Sequence, residues 1–259
     1  MHFYKYQGAG NDFILIDNRN SAINHHDPQL TARLCDRRFG IGGDGIIFLQ
    51  NREGYDFEMI YYNADGQPSS MCGNGGRCIV AFARFLGIID SETNFLAVDG
   101  PHYAKISASG DWVSLQMIDV TEIGKDEDAY ILNTGSPHYI QLVEGLKEKN
   151  VYKDGFSIRN NDTYREKGIN VNFVEPISDG YFVRTFERGV EDETYACGTG
   201  VTAVALAMAK HNHQTGSINT RIKVLGGDLN IRFNYNGESF KDIFLEGPAV
   251  KVFEGAVDG

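Results

Sequence analysis

The chain has 259 residues, enough for one large or two medium domains, and its 42% hydrophobic content with 16 Phe and 13 Tyr supplies a core and excludes disorder. Lys and Arg number 24 against 35 Asp and Glu, a net charge of -11 that repels phosphate backbones and anionic lipid, so neither nucleic acid nor a membrane is an expected partner. Four cysteines (Cys35, Cys72, Cys78, Cys197) are few for a disulfide scaffold, and with no Cys-x-x-Cys and no zinc-type pairing of His with Cys, reduced thiols and no metal are expected.

The opening Met1-His2-Phe3-Tyr4-Lys5-Tyr6 has no charged segment followed by an apolar one, and no stretch approaches about 18 consecutive apolar residues, which predicts a cytoplasmic protein. A helical pattern runs from Pro28 to Phe39. Gly40-x-Gly42-x-x-Gly45 then matches a dinucleotide fingerprint, but it follows a helix and precedes the strand-like Ile46-Ile47-Phe48-Leu49. That order is the reverse of the one nucleotide binding requires. Alternating runs at Phe57 to Tyr61, Trp112 to Leu115 and Tyr181 to Phe186 read as strands. Further helices are expected at about Gly75 to Leu86, weakly from Gln141 to Lys149, and at about Thr199 to His211. Strands dominate, and the predicted class is α+β with mostly antiparallel sheets.

The two halves of the sequence repeat one another. Phe57-Glu58-Met59-Ile60-Tyr61-Tyr62-Asn63 leads through a polar loop to Cys72-Gly73-Asn74-Gly75 and a small-residue helix. Phe182-Val183-Arg184-Thr185-Phe186-Glu187-Arg188 leads through another to Cys197-Gly198-Thr199-Gly200 and a second such helix. Nine positions separate Asn63 from Cys72 (72 minus 63) and Arg188 from Cys197 (197 minus 188). Helices this rich in Ala and Gly allow close approach of strands, so each half is expected to be a sheet curled around one central helix.

A cysteine just ahead of a helix sits where free N–H groups and the helix dipole favour a thiolate. The adjoining Gly-x-Gly backbone exposes amides that hold a carboxylate. Two such units acting on one substrate α-carbon would remove a proton from one face and deliver one to the other, inverting the centre. Amides on the carboxylate would stabilise the developing charge and replace a cofactor as electron sink. Cys35 and Cys78 lie inside helical patterns and read as core residues.

The chain resembles the diaminopimelate epimerase family. The resemblance spans the whole length and rests on Gln7-Gly8-Ala9-Gly10-Asn11-Asp12-Phe13, Gly40-Ile41-Gly42-Gly43-Asp44-Gly45, Asn63-Ala64-Asp65-Gly66, Cys72-Gly73-Asn74-Gly75, Glu187-Arg188-Gly189 and Ala196-Cys197-Gly198-Thr199-Gly200. It implies a pyridoxal-independent isomerase that interconverts LL- and meso-diaminopimelate in lysine and peptidoglycan precursor synthesis, with no cofactor. It assigns Cys72 and Cys197 as the acid/base pair and the amides of Gly73, Asn74, Gly198 and Thr199 to the reacting carboxylate. Glu187 goes to the reacting amino group, and Asn11, Asn63, Asn170 and Arg188 to the substrate, with Arg188 on the distal carboxylate and Asn172 as an alternative to Asn170. A guanidinium suits that task because its fork binds carboxylate bidentately. The resemblance also implies a homodimer, an N-terminal half over 1–118 to which 248–259 return, and a C-terminal half over 119–247.

The sequence departs from the family at two places. Ser136 stands where many members have Asn, and its shorter side chain needs help to reach the distal end of the substrate. Gly45 stands where some members have Gln.

A proline or hydroxyproline racemase also uses paired cysteines, but a small imino acid would leave Glu187, Arg188 and the asparagines without partners. A thiol redox protein pairing Cys72 with Cys197 would not need Glu187 and Arg188.

Overall fold

The computed structural model describes residues 1–68 and 71–257. The chain divides into two compact units, Met1–Leu115 with Gly247–Gly259, and Gln116–Glu246. Asp258 and Gly259, the end of the expected return segment, lie outside the described residues.

The first unit is built from β1 (His2–Gly8), β2 (Asn11–Asp17), α1 (Pro28–Cys35), β3 (Gly45–Gln50), β4 (Phe57–Asn63), α2 (Gly73–Phe85), β5 (Glu92–Ala97), β6 (Gly100–Ile106) and β7 (Trp112–Gln116). The second follows with β8 (Gly124–Asp126), β9 (Ala129–Asn133), β10 (Pro137–Leu142), α3 (Val151–Arg159), β11 (Asn170–Ile177), β12 (Gly180–Glu187), β13 (Asp192–Thr194), α4 (Gly198–His211), β14 (Gly216–Val224), β15 (Gly227–Tyr235) and β16 (Phe240–Pro248). The chain then returns to the first unit as β17 (Val250–Ala256), which lies antiparallel to β1.

The two units share one topology. In the first, β1–β2 and β3–β4 are antiparallel pairs joined by parallel β2–β3, and parallel β4–β5 leads to antiparallel β5–β6 and β6–β7. In the second, β9–β10 and β11–β12 are antiparallel pairs joined by parallel β10–β11, and parallel β12–β14 leads to antiparallel β14–β15 and β15–β16. Each parallel step needs a long crossover connection, here supplied by α1 and α2 in one unit and α3 and α4 in the other. The architecture is α+β, two pseudo-symmetric halves, each a mostly antiparallel sheet curled around a central helix.

The central helices are α2 and α4. Every residue of α2 from Gly73 to Ala83 is buried, and α4 is buried from Gly200 to Ala209. A helix covered on all sides is largely apolar all round, as in the runs Cys78-Ile79-Val80-Ala81-Phe82-Ala83 and Ala203 to Ala209, and its buried polar side chains hydrogen-bond within the fold. Strands β1, β2, β3, β6 and β17 wrap α2, while β9, β10, β11, β14 and β15 wrap α4. Their closeness demands glycine at Gly200, where a Cβ would fall 2.4 Å from Asn172 Oδ1. A smaller core lies in each unit: Leu34 and Cys35 of α1 cluster with Phe3, Ile14, Ile46 and Phe48, and Val151 of α3 with Val171, Phe173 and Phe186.

The helix expected from Gln141 to Lys149 is not formed. β10 continues to Leu142, Gly145 takes a left-handed φ of 65°, and only a 3-10 turn spans Leu146–Glu148. The helix starts later, at Val151, because Asn150 caps it by accepting from the Lys153 amide at 3.0 Å. The helix expected to reach Phe39 stops at Cys35, where Asp36 turns extended and its carboxylate accepts from the Arg38 and Phe39 amides. Among the described residues, no helix is long and apolar enough to cross a membrane, and no group of three or more His, Cys, Asp or Glu gathers as a metal site.

Candidate active site

Cys72 and Cys197 occupy the same position in their units, the residue immediately before the central helix. Both are extended, at φ -98°, ψ 128° and φ -114°, ψ 108°, and neither side chain makes a capping hydrogen bond. Their carbonyls accept the first helical amides, from Gly76 at 2.7 Å and from Val201 at 2.9 Å. The three preceding N–H groups of each helix, including those of Gly73 and Asn74 and of Gly198 and Thr199, have no acceptor within the helix. Cys72 is half-buried and Cys197 buried; Cys197 Sγ lies 3.6 Å from Thr199 Oγ1.

In the first unit, a tight turn with Ala9 at φ 54° and Gly10 at φ 89° joins β1 to β2 and delivers Asn11 to the start of β2. Asn11 Oδ1 is buried and has no hydrogen-bond partner among the described residues. The turn is clamped by charge. Lys5, itself buried, contacts Asp12 at 2.6 Å and the Gly42 carbonyl, and Arg37 bridges Asp12 at 2.6 Å and Asp44 at 2.7 Å. Burial alone would raise the Asp12 pKa, but Arg37 and Lys5 hold it below the usual carboxylate range.

Asn63 ends β4 and pairs with Gly45 at the start of β3. A side chain at position 45 would have no room, since a Cβ would fall 2.5 Å from both Tyr61 Cε2 and the Tyr62 carbonyl. The Tyr61 ring fills the space that a larger side chain at this position would need.

In the second unit, Ser136, Asn170 and Arg188 come together. The Asn170 amide nitrogen donates to Ser136 Oγ at 2.9 Å and to the Pro137 carbonyl at 3.0 Å, and its Oδ1 accepts the Arg188 amide at 2.9 Å. The Arg188 guanidinium donates to Ser136 Oγ at 3.3 Å and to the Lys167 carbonyl at 3.1 Å. Ser136 is thus tied to both neighbours. Glu187, one residue before Arg188 at the end of β12, accepts from Thr194 Oγ1 at 2.8 Å.

Asn172 does other work. It is fully buried, accepts from Thr185 Oγ1 at 2.9 Å, and donates to His138 Nδ1 at 3.2 Å and to the Tyr139 carbonyl at 3.1 Å. Because Asn172 donates, His138 Nδ1 is an acceptor and its proton sits on Nε2, a buried atom with no partner among the described residues. Burial, reinforced by Arg188, pushes the His138 pKa down to about 3, so the ring is neutral. Cys35 and Cys78 are buried, and burial pushes each thiol up to about 12.

Sequence reasoning passed over two residues beneath these helix starts. Arg77, fully buried in α2, donates to the Gly73 carbonyl at 3.2 Å and to Asn74 Oδ1 at 3.0 Å. Thr134 donates to the Thr199 carbonyl at 2.8 Å. The signal for Arg77 was present, a charge in the first half of the helix directly ahead of the apolar run Cys78 to Ala83; Thr134 gave none, because its partner is 65 residues away.

The family model for diaminopimelate epimerase matches residues 3–122 and 130–252. A diaminopimelate epimerase of Flavobacterium psychrophilum is 51% identical over 258 residues, covering 99% of this chain and 100% of the relative, and one of Chlorobaculum tepidum is 43% identical, covering 96% and 98%. Among solved structures, a Bacillus anthracis phenazine biosynthesis protein of the PhzF family superimposes with a TM-score of 0.76 at 13% identity, covering 99% of this chain and 98% of its own. A probable proline racemase from Agrobacterium radiobacter gives 0.75 at 13%, covering 99% and 92%. At that identity the two structures speak for the fold alone. The matched segments reach from β1 into β17 and contain both cysteine-led helix starts, and with relatives this similar over nearly their full lengths, the chain belongs to the diaminopimelate epimerase family.

Proposed function

We propose that this enzyme interconverts LL- and meso-2,6-diaminopimelate by a cofactor-independent two-base reaction in lysine and peptidoglycan precursor synthesis. The observation that carries the proposal is the pair of equivalent helix starts, each led by an extended cysteine whose side chain does not cap the helix. A thiolate takes the α-proton from one face, and the C–H electron pair passes into the carboxylate. The opposing thiol then protonates the other face, so the two sulfurs exchange states at each turnover. The amides of Gly73, Asn74, Gly198 and Thr199 receive the carboxylate oxygens as their charge grows.

The remaining roles follow from the chemistry of each group. Glu187 takes the reacting ammonium. Arg188, positioned through Asn170 and Ser136, takes the distal carboxylate as a fork. Asn11 brings a buried acceptor that only a ligand donor or water would satisfy, which suits an ammonium or amide partner. Asn63 is assigned to the substrate from its place at the end of β4. The two compact units serve as the two domains, each contributing one thiol. A cytoplasmic homodimer is part of the same proposal, supported by the family resemblance and checked by sedimentation.

The deciding experiment incubates the reduced protein with LL-diaminopimelate in deuterated water without pyridoxal phosphate. Formation of the meso isomer carrying deuterium at one α-carbon, blocked by either Cys72→Ala or Cys197→Ala, is expected. Neither exchange nor inversion with any isomer would overturn the assignment.

A further inference from the structure

The cysteine-led helix starts match in backbone but differ five residues on. In α2 that position is Arg77 and in α4 it is Thr202, and both side chains are fully buried. Thr202 Oγ1 donates to the Gly198 carbonyl at 2.9 Å, and Arg77 Nη1 donates to the equivalent Gly73 carbonyl at 3.2 Å. The local bond is therefore repeated, with a hydroxyl in one unit and a cation in the other.

The other Arg77 contacts are also to neutral oxygens: Asn74 Oδ1 at 3.0 Å and the Pro248 carbonyl at 3.4 Å. Among the described residues no carboxylate pairs with it. An arginine enclosed without a counter-ion is costly, since its charge has been taken out of water and not neutralised. Burial pushes its pKa down to about 10, opposed by the charges that Cys78 and Cys72 would carry as thiolates. Cys78 is fully enclosed, with its pKa pushed up to about 12, and stays a thiol. Cys72 is half-exposed at the helix start, so it is the group able to supply the missing negative charge.

Charged and titratable groups on the strands around α2 have other partners or remain neutral. Asp12 pairs with Lys5 and Arg37, Asp17 with Arg19, His102 with Asp99, and Glu254 with Lys251. Tyr103 donates to Glu92, and Lys105 lies over the Tyr103 ring. Burial raises the Tyr6 pKa and keeps that phenol neutral; Tyr4 packs at a tilt against Phe82, and His2 meets Tyr4 edge-on.

We infer that Arg77 is a positioning residue of the reaction: it fixes the Cys72–Asn74 helix start from beneath and supplies the positive charge against which a Cys72 thiolate, rather than a Cys197 thiolate, is held. The inference rests on the two-thiol reading proposed above and adds that the two thiols are unequal before substrate binds.

The primary readout needs no substrate. Iodoacetamide alkylation of the full chain is followed for each cysteine peptide by mass spectrometry between about pH 5 and about pH 10. In the wild-type chain the Cys72 midpoint is expected below that of Cys197. In Arg77→Met the Cys72 midpoint rises by about one to three pH units while Cys197 does not move, and Arg77→Lys restores most of the difference. The acid limb of the kcat profile for exchange should rise with the Cys72 midpoint, with KM little changed. A Cys72 midpoint at or above that of Cys197 in the wild-type chain overturns the inference, as does an Arg77→Met chain with native circular dichroism and an unmoved Cys72 midpoint. If Arg77→Met does not fold, the wild-type comparison decides. Failed epimerisation with the alkylation order intact would sink the proposed activity, and with it the part of Arg77 in the reaction, while an unmoved Cys72 midpoint in Arg77→Met with epimerisation intact would sink this inference alone.

Discussion

Asn170 Oδ1 accepts the main-chain amide of Arg188 at 2.9 Å, so the strand that begins β11 sets the backbone from which the guanidinium extends. The same side chain holds Ser136 and Pro137. Asn170→Ala is expected to leave the Arg188 amide and Ser136 without these partners and to raise KM about 10- to 100-fold, with a smaller loss in kcat, because ground-state positioning is lost before the chemistry is touched. Steady-state kinetics on purified variant checks this.

Asn11 carries a buried oxygen with no partner among the described residues, which burdens the unliganded chain by about 1–3 kcal/mol. Asn11→Ala should therefore hold or raise the melting temperature while cutting kcat/KM by at least about 10-fold. A variant that melts lower with activity intact would show that the oxygen serves structure.

Gly200→Ala places a Cβ 2.4 Å from Asn172 Oδ1, an atom already committed to Thr185. Gly45→Gln meets the Tyr61 ring and the Tyr62 carbonyl at 2.5 Å. Each should destabilise by about 1–3 kcal/mol through overpacking, read as a lower denaturation midpoint. Pairing Gly45→Gln with Tyr61→Ala should recover part of that loss, the remainder reflecting the clash with the Tyr62 carbonyl.

His138 links stability to pH. Its folded pKa of about 3 lies below the ordinary value of 6.5, so in that window the unfolded chain binds more protons than the folded one. The contribution is complete above about pH 6.5 and is lost as pH falls toward 3, by at most about 1.4 kcal/mol per pH unit. Urea titrations at about pH 7 and about pH 5 should show a smaller difference for His138→Leu than for the wild-type chain.

Much of this was legible in the sequence because it lay in local patterns. The matched runs from Phe57 to Gly75 and from Phe182 to Gly200 announced the strands β4 and β12, the helices α2 and α4 and their pseudo-symmetry. What the sequence hid was non-local or depended on one turn. The signals that start α3 at Val151, an Asn cap behind a left-handed glycine, were outweighed by apolar spacing in Gln141 to Lys149. The Ser136, Asn170 and Arg188 cluster joins residues up to 52 positions apart, which no spacing rule connects. Tyr61 reads as an ordinary strand residue until the absence of a side chain at Gly45 gives its ring a place.

The pairing of β17 with β1 sets an order of assembly during synthesis. His2 lies opposite Ala256, and the Met1 amino group reaches the Val257 carbonyl at 2.7 Å, a separation of 256 positions. The unit that begins first is therefore completed last: β1 leaves the ribosome early but waits for β17, whereas Gln116–Glu246 is continuous and has all of its strands beforehand. Until β17 emerges, the β17 side of β1 is an open edge and Arg77 lacks the Pro248 carbonyl. A stalled or C-terminally trimmed chain would thus carry a finished second half and an aggregation-prone first half.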